Sequence, residues 1–95
     1  MTRSELSTSL AERFPGLLRA DTDMAVAEIL GAIARTLSQG GRVEIRNFGS
    51  FTLSYRPPRI GRNPMTGDKV SVPGKYTPHF RPGRPLRELV DAGGA

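Results

Sequence analysis

The sequence predicts a small α+β fold: two N-terminal helices, a three-stranded antiparallel sheet with a long protruding β-ribbon arm, and a short C-terminal helix. Three observations predict it. Apolar residues recur with a helical period up to Gln39 and with a period of two from Arg42 onward. A segment rich in proline and glycine interrupts the strand pattern. The chain has 95 residues, which is enough for one domain.

The first part of the chain is predicted to form two helices. Apolar side chains recur at helical spacing at Leu6, Leu10 and Phe14, and again at Val26, Leu30, Ile33 and Leu37. Thr2 and Glu5 have the spacing of a capping box, and Pro15-Gly16 is a suitable end for the first helix. The second helix is predicted to begin near Asp21 and to end at Gly40-Gly41.

The predicted second helix has a wide apolar surface. Besides the stripe from Val26 to Leu37, it carries Ala25, Ile29 and Ala32 on a neighbouring face. A single neighbouring element covers only one such stripe, so we expect the remaining surface to pack against a second subunit. The helix residues predicted at this dimer interface are Val26, Leu30, Ile33 and Leu37. Phe48, Phe51 and Phe80 are predicted to join it through core packing, and stacking on bases is the alternative.

Three stretches alternate as half-buried strands do. Val43 and Ile45 begin the pattern, Asn47 and Gly49 supply a turn, and a second strand follows through Phe51, Leu53 and Tyr55. Residues 75–81 form the third, with Tyr76, Pro78 and Phe80 on its apolar side. If the three strands share one sheet, its polar face sets five cations against Glu44 alone; they are Arg42, Arg46, Arg56, Lys75 and Arg81.

The segment of residues 56–74 cannot bury a core, because it holds four prolines, three glycines and few large aliphatic side chains. Proline cannot donate to a strand ladder, so the segment cannot be a central strand. A projecting two-stranded ribbon with Asn63-Pro64-Met65-Thr66-Gly67 at its tip suits it. Two-stranded ribbons alone are marginal in water, so we expect this arm to be mobile until a partner orders it. The chain is predicted to close with a short helix near Pro85 to Val90 and a flexible tail from Asp91 to Ala95.

The charge is unevenly distributed along the chain. Fourteen Lys and Arg against nine Asp and Glu give a formal net charge of +5. Residues 1–40 hold four basic and five acidic side chains, whereas residues 41–95 hold ten and four. The excess positive charge therefore belongs to the sheet, the arm and the last helix, and it favours a polyanionic partner.

Several function classes are excluded or weakened by composition. The chain has no cysteine, which removes disulfides, thiolate metal sites and cysteine nucleophiles, and His79 is its only histidine. We expect no enzymatic activity, no metal and no cofactor, because no nucleophile, base and orienting group can be assembled. No stretch has the roughly 20 apolar residues of a membrane span, and the N-terminus lacks a signal-peptide core. A soluble, intracellular protein without membrane or small-molecule ligands is predicted.

The arm suits a groove of duplex DNA. A groove reader needs cations that replace condensed counterions and an element narrow enough to enter. Pro64 adds a rigid apolar ring without an N–H, which can wedge between base pairs and leave no donor unsatisfied. The alternative interpretation is that Pro64 is an ordinary turn corner, for which Asn-Pro is a common start. Arg3 and Ser4 at one helix start, and Gly83 and Arg84 at another, are predicted to meet phosphates.

The chain resembles the bacterial histone-like DNA-bending proteins, the family of HU and integration host factor. The resemblance runs from Thr2-Arg3-Ser4-Glu5-Leu6 to Leu86-Arg87 and is densest in Phe48-Gly49-Ser50-Phe51 and in residues 61–67. Within the family, Val43-Glu44-Ile45-Arg46 and Lys75-Tyr76-Thr77-Pro78-His79-Phe80 look most like the beta subunit of integration host factor.

The resemblance implies an intertwined dimer whose two arms reach round double-stranded DNA. It implies that Pro64 intercalates at the arm tip and that Glu44 orients Arg46 in the minor groove. Further minor-groove residues would be Arg56, Arg59, Arg62 and Asn63. The residues implied to hold phosphates are Arg3, Ser4, Arg42, Lys75, Gly83, Arg84 and Arg87. The chain departs from the family pattern at two positions. Asn47 replaces a glycine but tolerates a left-handed turn, and Pro85 lies in the first turn of the last helix.

The resemblance also implies a cellular role and a division of the chain. It implies a cytoplasmic, nucleoid-associated protein that pairs with a homologous alpha subunit and acts in recombination and in transcriptional and translational control. The predicted parts are a helical dimerisation body (1–40), a saddle sheet (41–55 and 75–81), a DNA-binding arm (56–74) and a C-terminal helix (83–91). An HU-like homodimer with little sequence preference and a small RNA-binding protein remain the alternatives.

Overall fold

The computed structural model describes residues 1–93. In chain order its elements are α1 (Arg3–Arg13), α2 (Arg19–Ser38), β1 (Val43–Ile45), β2 (Gly49–Arg56), β3 (Arg59–Arg62), β4 (Lys69–Val72), β5 (Lys75–Pro82) and α3 (Arg84–Gly93). The predicted α+β architecture is confirmed, including the protruding ribbon and the last helix.

The ends of α1 follow the sequence signals. The Thr2 hydroxyl accepts a hydrogen bond from the Glu5 N–H at 3.2 Å, which is one half of the predicted capping box. The helix ends at Arg13, two residues before Pro15, because proline cannot continue a helix.

The start of α2 was predicted two residues too late. The helix begins at Arg19, and its N-cap is Leu18, whose side chain cannot cap. Asp21 instead reaches back, and its carboxylate accepts the Leu18 N–H at 3.1 Å. The predicted end is confirmed: Gly40 has a φ of 84°, and its N–H and that of Gly41 donate to the carbonyls of Leu37 and Thr36 in a Schellman arrangement.

The saddle sheet has the order β1-β2-β5, and all its pairs are antiparallel. Phe51 lies opposite both Val43 and Phe80, and Leu53 lies opposite Pro78, so the predicted apolar face is confirmed. The first strand is shorter than predicted, because Arg46 already belongs to the turn. Asn47 adopts a φ of 67°, which is the left-handed conformation expected of a residue in the place of a glycine.

The arm is a separate two-stranded sheet. β3 and β4 pair antiparallel from Arg59 opposite Val72 to Arg62 opposite Lys69. The ladder of the saddle sheet stops at Arg56 opposite Lys75, so Pro57-Pro58 on one side and Pro73-Gly74 on the other separate the two ladders. The molecule is consequently long, with extents of 59 × 34 × 29 Å.

The last helix is longer than predicted. α3 runs from Arg84 to Gly93, so the expectation of a flexible tail was wrong for residues 91–93. The sequence offers no proline or early glycine between Leu86 and Ala92 that would end the helix sooner. The other two residues of the predicted tail, Gly94 and Ala95, lie outside the described residues.

One chain alone buries little apolar surface. Val26 is the only large hydrophobic residue buried among residues 1–93, while Leu30 is 41% exposed and Phe48 is 44% exposed. The radius of gyration is 19.1 Å, against about 12 Å for a compact chain of this length. An apolar groove of about 1240 Å³ lies between α2 and the saddle sheet. Its lining includes Leu30, Ile33, Leu37, Phe51, Leu53 and Pro78.

The contact between α1 and α2 contains a polar joint that the apolar pattern did not predict. Ser7 and Thr22 are 2% and 0% exposed, and their hydroxyl oxygens lie 3.2 Å apart. The Ser7 hydroxyl donates to the Asp23 carboxylate, and the Thr22 hydroxyl donates to the Arg19 carbonyl. Arg19 also pairs with Asp23 at 3.0 Å. Each hydroxyl therefore donates its proton to an acceptor within the joint, so neither buried hydroxyl is left without a hydrogen bond.

The polar joint is expected to be acid-sensitive. The hydrogen bond from Ser7, and then that from Arg19, lower the pKa of the Asp23 carboxyl below its ordinary value of 3.8. A lowered folded-state pKa adds stability above pH 3.8, and this stability is lost as the pH falls through the folded-state pKa. The melting temperature of the parent should therefore fall more steeply below pH 3.8 than that of Asp23→Asn. The control variant Glu12→Gln should behave as the parent. Parallel curves for the parent and Asp23→Asn would contradict this assignment.

Candidate nucleic-acid interface

The polar face of the saddle sheet is cationic. Strand alternation places Arg56 beside Lys75 and Ser50 beside Arg81, so three cations project from the central and outer strands on the side away from the phenylalanines. Small hydroxyl side chains lie between them: Thr52 faces His79, and Ser54 faces Thr77. The face thus combines positive charge with low relief, which suits a phosphate backbone.

Glu44 is paired with Arg42 in this structure. The Arg42 guanidinium lies 3.3 Å from the Glu44 carboxylate, and both side chains are well exposed. Arg46, which the resemblance links to Glu44, lies in the turn after β1 and shares with Glu44 the lining of a cleft of about 530 Å³. Exposed pairs of this kind contribute about 0–1 kcal/mol, so Glu44 can exchange Arg42 for another cation at little cost.

The arm tip is a closed turn that presents Pro64 outward. The Asn63 N–H donates to the Asp68 carbonyl at 2.9 Å, and the Gly67 N–H donates to the Asn63 carbonyl at 2.7 Å. The Asn63 side-chain oxygen accepts the Met65 N–H at 2.9 Å, which leaves its amide NH₂ free to donate elsewhere. Gly67 has a φ of 75°. The turn is therefore fixed from inside, and Pro64 is exposed.

Met65 is a candidate contact residue that the sequence reasoning missed. It is 92% exposed next to Pro64, which makes it the most exposed large apolar side chain described. A flexible thioether can fit irregular apolar surfaces. The sequence feature that indicates this role is the position of Met65 within the predicted arm tip, where an apolar side chain has no core to pack into.

The cations of the arm have no acidic partners among the described residues. The ion pairs found within residues 1–93 join other positions, and none involves Arg59, Arg62 or Lys69. Arg62 and Lys69 lie directly opposite each other, and the nearby Asp68 is the single carboxylate of the arm. Like charges at this spacing repel, so an anion between them would be favourable.

The start of α1 retains the predicted groups and adds one cation. Arg3 and Ser4 lie in its first turn and are exposed. Arg19, which the sequence reasoning did not single out, donates to the Ser4 carbonyl at 3.2 Å and to the Ser4 hydroxyl at 3.4 Å. The positive end of the α1 dipole therefore lies beside two guanidinium groups.

The start of α3 requires one correction. Gly83 was predicted to offer its N–H to a phosphate, but that N–H donates to the Phe48 carbonyl at 2.8 Å. The same bond places α3 against the end of the first hairpin. Arg84 and Arg87 are exposed, and Arg84 pairs with Glu88 at 2.8 Å. The cationic side chains are thus available at α3, whereas the Gly83 N–H is already used.

The predicted interface phenylalanines form one cluster on the apolar side of the saddle sheet. Phe80 lies between the other two, with ring centroids 5.6 Å from Phe48 and 4.8 Å from Phe51. Val26 differs from the other predicted interface residues, because it is already buried within the single chain.

Among residues 1–93, no helix combines the length and apolar character that a membrane crossing requires.

Comparisons with known proteins match nearly the whole chain. The family model described as bacterial DNA-binding protein matches residues 1–91. An integration host factor subunit beta from Nitrosomonas europaea is 59% identical over 93 residues, which cover 98% of this chain and 89% of that protein. An integration host factor subunit beta from Herminiimonas arsenicoxydans is 61% identical over 92 residues, which cover 97% and 91%.

Solved structures show the same fold. A cocrystal structure of Anabaena HU with DNA matches with a TM-score of 0.86 at 33% identity, and the match covers 95% of this chain and 97% of that one. An HU variant from Thermotoga maritima matches with a TM-score of 0.67 at 26% identity, covering 95% and 99%. The chain therefore belongs to the bacterial DNA-binding protein family of HU and integration host factor, and its sequence is similar to integration host factor beta subunits.

Proposed function

We propose that this protein is a DNA-binding and DNA-bending architectural protein that acts as an integration host factor beta-type subunit. The observation that carries the proposal is the basic arm, which continues from a cationic sheet face and ends in an exposed proline. The arm is a single two-stranded ribbon, which is narrow enough to follow a groove of duplex DNA.

Binding is driven by the release of counterions from DNA. Cations on the saddle sheet, on the arm and at the helix starts replace sodium or potassium ions along the phosphates. Arg42, Lys75, Arg84 and Arg87 hold phosphates through their side chains, and Arg3 and Ser4 do so at the start of α1. Arg56, Arg59, Arg62 and the Asn63 amide follow the minor groove, where guanidinium groups are favoured when the groove is narrow.

Bending follows from insertion of Pro64 between base pairs. Unstacking one step costs a few kcal/mol, and wrapped DNA recovers this through extra phosphate contacts on the flanks of the protein. Site preference then arises mainly from how easily a sequence is kinked and narrowed. Arg46 contributes at the minor groove, with Glu44 orienting it once DNA has displaced Arg42.

The active species is a dimer. The exposed apolar surface around Leu30 and Phe48 needs a second chain to cover it. The integration host factor beta relatives favour a homologous alpha subunit as that chain. The protein then works in the nucleoid without covalent chemistry, bringing distant DNA sites together in recombination and in transcriptional and translational control.

An HU-like homodimer is a second candidate, favoured by the close structural match to DNA-bound HU. Purifying the chain both by itself and from its native cell separates the two. A stable dimer that binds all duplexes alike supports the homodimer, whereas an unstable chain that is rescued by a co-purifying homologue supports the heterodimer.

Competition and salt titration test the proposed function. The dimer should bind duplex DNA in preference to duplex RNA of the same length, because A-form RNA has a wide, shallow minor groove that does not suit the arms. The logarithm of the association constant should fall linearly with the logarithm of the salt concentration, with a slope of about −0.9 per phosphate contacted. Equal affinity for duplex RNA, or a flat response to salt, would contradict the proposal.

A further inference from the structure

The junction between the saddle sheet and the arm lacks a continuous backbone ladder. The last saddle pair is Arg56 opposite Lys75, and the first arm pair is Arg59 opposite Val72. The two connecting segments, Pro57-Pro58 and Pro73-Gly74, contain three prolines, which have no N–H to donate. Ladder hydrogen bonds therefore do not fix the angle between the sheet and the arm, which leaves a role for side-chain contacts across the junction.

One face of the junction is closed by Tyr55. Its ring packs against the ring of Tyr76 directly opposite, with centroids 5.0 Å apart and planes at 45°. Its hydroxyl lies over Gly74, where an added Cβ would meet the Tyr55 oxygen at 2.5 Å and the Pro58 Cδ at 3.0 Å. Only glycine fits there without a shift, so the aromatic side chain fills the corner between β2 and the end of the arm.

The opposite face of the junction is open and cationic. A cleft of about 530 Å³ lies there, lined in part by Arg56, Arg59 and Lys75. These three side chains share one sign of charge, so their mutual repulsion disfavours closure of the cleft in the absence of an anion. The polar side of the junction is therefore open, whereas the Tyr55 ring occupies the other side.

We propose that Tyr55 is a positioning residue that acts as a one-sided stop for the arm: it lets the arm close toward DNA and prevents it from folding away. The inference rests on the proposed function. A phosphate that enters the cleft offsets part of the positive charge of Arg56, Arg59 and Lys75 and so favours closure. The stop limits the number of orientations that the free arm samples, so less conformational entropy is lost when DNA binds. Such preorganisation favours the bent complex.

Arm orientation can be measured in the free dimer by pulsed electron paramagnetic resonance. The chain has no native cysteine, so spin labels at Met65→Cys and Gln39→Cys report the distance from the arm tip to the helical body. The labelled chain is paired with its unlabelled alpha subunit, or in a homodimer is diluted with unlabelled chain, so that each dimer carries one labelled subunit. Circular dichroism and sedimentation confirm that each variant is folded and dimeric.

The variants separate the stop from general stability. Tyr55→Val should broaden the distance distribution at least about twofold, since neither the ring nor a ladder hydrogen bond then opposes movement of the arm away from the polar face. Tyr55→Phe removes the hydroxyl but keeps the ring, whose terminal carbon lies 3.1 Å from an added Cβ at Gly74, and should resemble the parent more closely than Tyr55→Val does. Gly74→Ala should shift the mean distance in the parent and have a smaller effect in the Tyr55→Val background, where the contacts with the Tyr55 ring are gone and the contact with Pro58 Cδ remains. Gly16→Ala, where an added Cβ meets nothing within 4 Å, is the matched control.

Two outcomes would overturn the proposal. One is a Tyr55→Val distribution identical to that of the parent. The other is an effect of Gly74→Ala that is equal in both backgrounds. Because the distances are measured without DNA, a parent that fails to bend DNA would refute the proposed function while leaving the test of Tyr55 intact.

Discussion

Leu30→Asp is expected to abolish the dimer. Leu30 is 41% exposed in the single chain and lines the apolar groove between α2 and the saddle sheet. If a partner subunit covers this groove, the substitution buries an unpaired carboxylate and costs about 3–5 kcal/mol. For a domain of marginal stability this is a large share of the total. Sedimentation should show monomers, and thermal melting should lose its cooperative transition.

Leu18→Asp is the matched control for Leu30→Asp. The same change is made on the same helix, but Leu18 is the N-cap and is 71% exposed. Aspartate is a preferred N-cap residue, so this variant should be neutral or more stable by about 1 kcal/mol. A Leu30→Asp protein with the sedimentation coefficient and melting temperature of the parent would contradict the assignment of the groove to a subunit interface.

Pro64→Ala is expected to reduce DNA bending strongly while leaving affinity for linear DNA within about tenfold. The proline ring is the rigid apolar group at the arm tip, whereas affinity comes from many phosphate contacts elsewhere. Energy transfer between dyes at the two ends of a short duplex reports the bend. Because Met65 is also exposed at the tip, Pro64→Ala/Met65→Ala should lower the bend further.

Pro15→Ala serves as the control for the proline change, because Pro15 lies in the connection between α1 and α2, far along the chain from the arm. It should bend DNA as the parent does. An unchanged bend in Pro64→Ala would remove Pro64 from the mechanism and assign it to turn formation, for which Asn-Pro is well suited.

Features governed by local chemistry were predictable from the sequence. The strand faces follow from alternation, and the arm follows from prolines that cannot join a central strand. The left-handed turn at Asn47 follows from its ability to replace glycine. These features depend on residues close together in the chain, so their patterns survive without tertiary information.

Features governed by contacts distant in sequence were not predictable. Ser7 and Thr22 are 15 positions apart, and only the packing of α1 on α2 shows that their hydroxyls are buried together. The Gly83 N–H is used because Phe48 lies beside it in the fold. Such positions read as ordinary surface residues until the elements are packed. The early start of α2 has a local cause instead: the Asp21 carboxylate accepts the Leu18 N–H three residues before it, in a chain with no side-chain cap at Leu18 to mark the start.

The most direct test of the proposed function is energy transfer between the ends of a short DNA duplex titrated with the parent dimer. A protein that wraps DNA with two proline-tipped arms should bring the duplex ends closer, and the change should saturate at one dimer per duplex. Raising the salt concentration should reverse it. Saturable binding that leaves the end-to-end distance unchanged would show that the protein coats DNA without bending it, and would contradict the account.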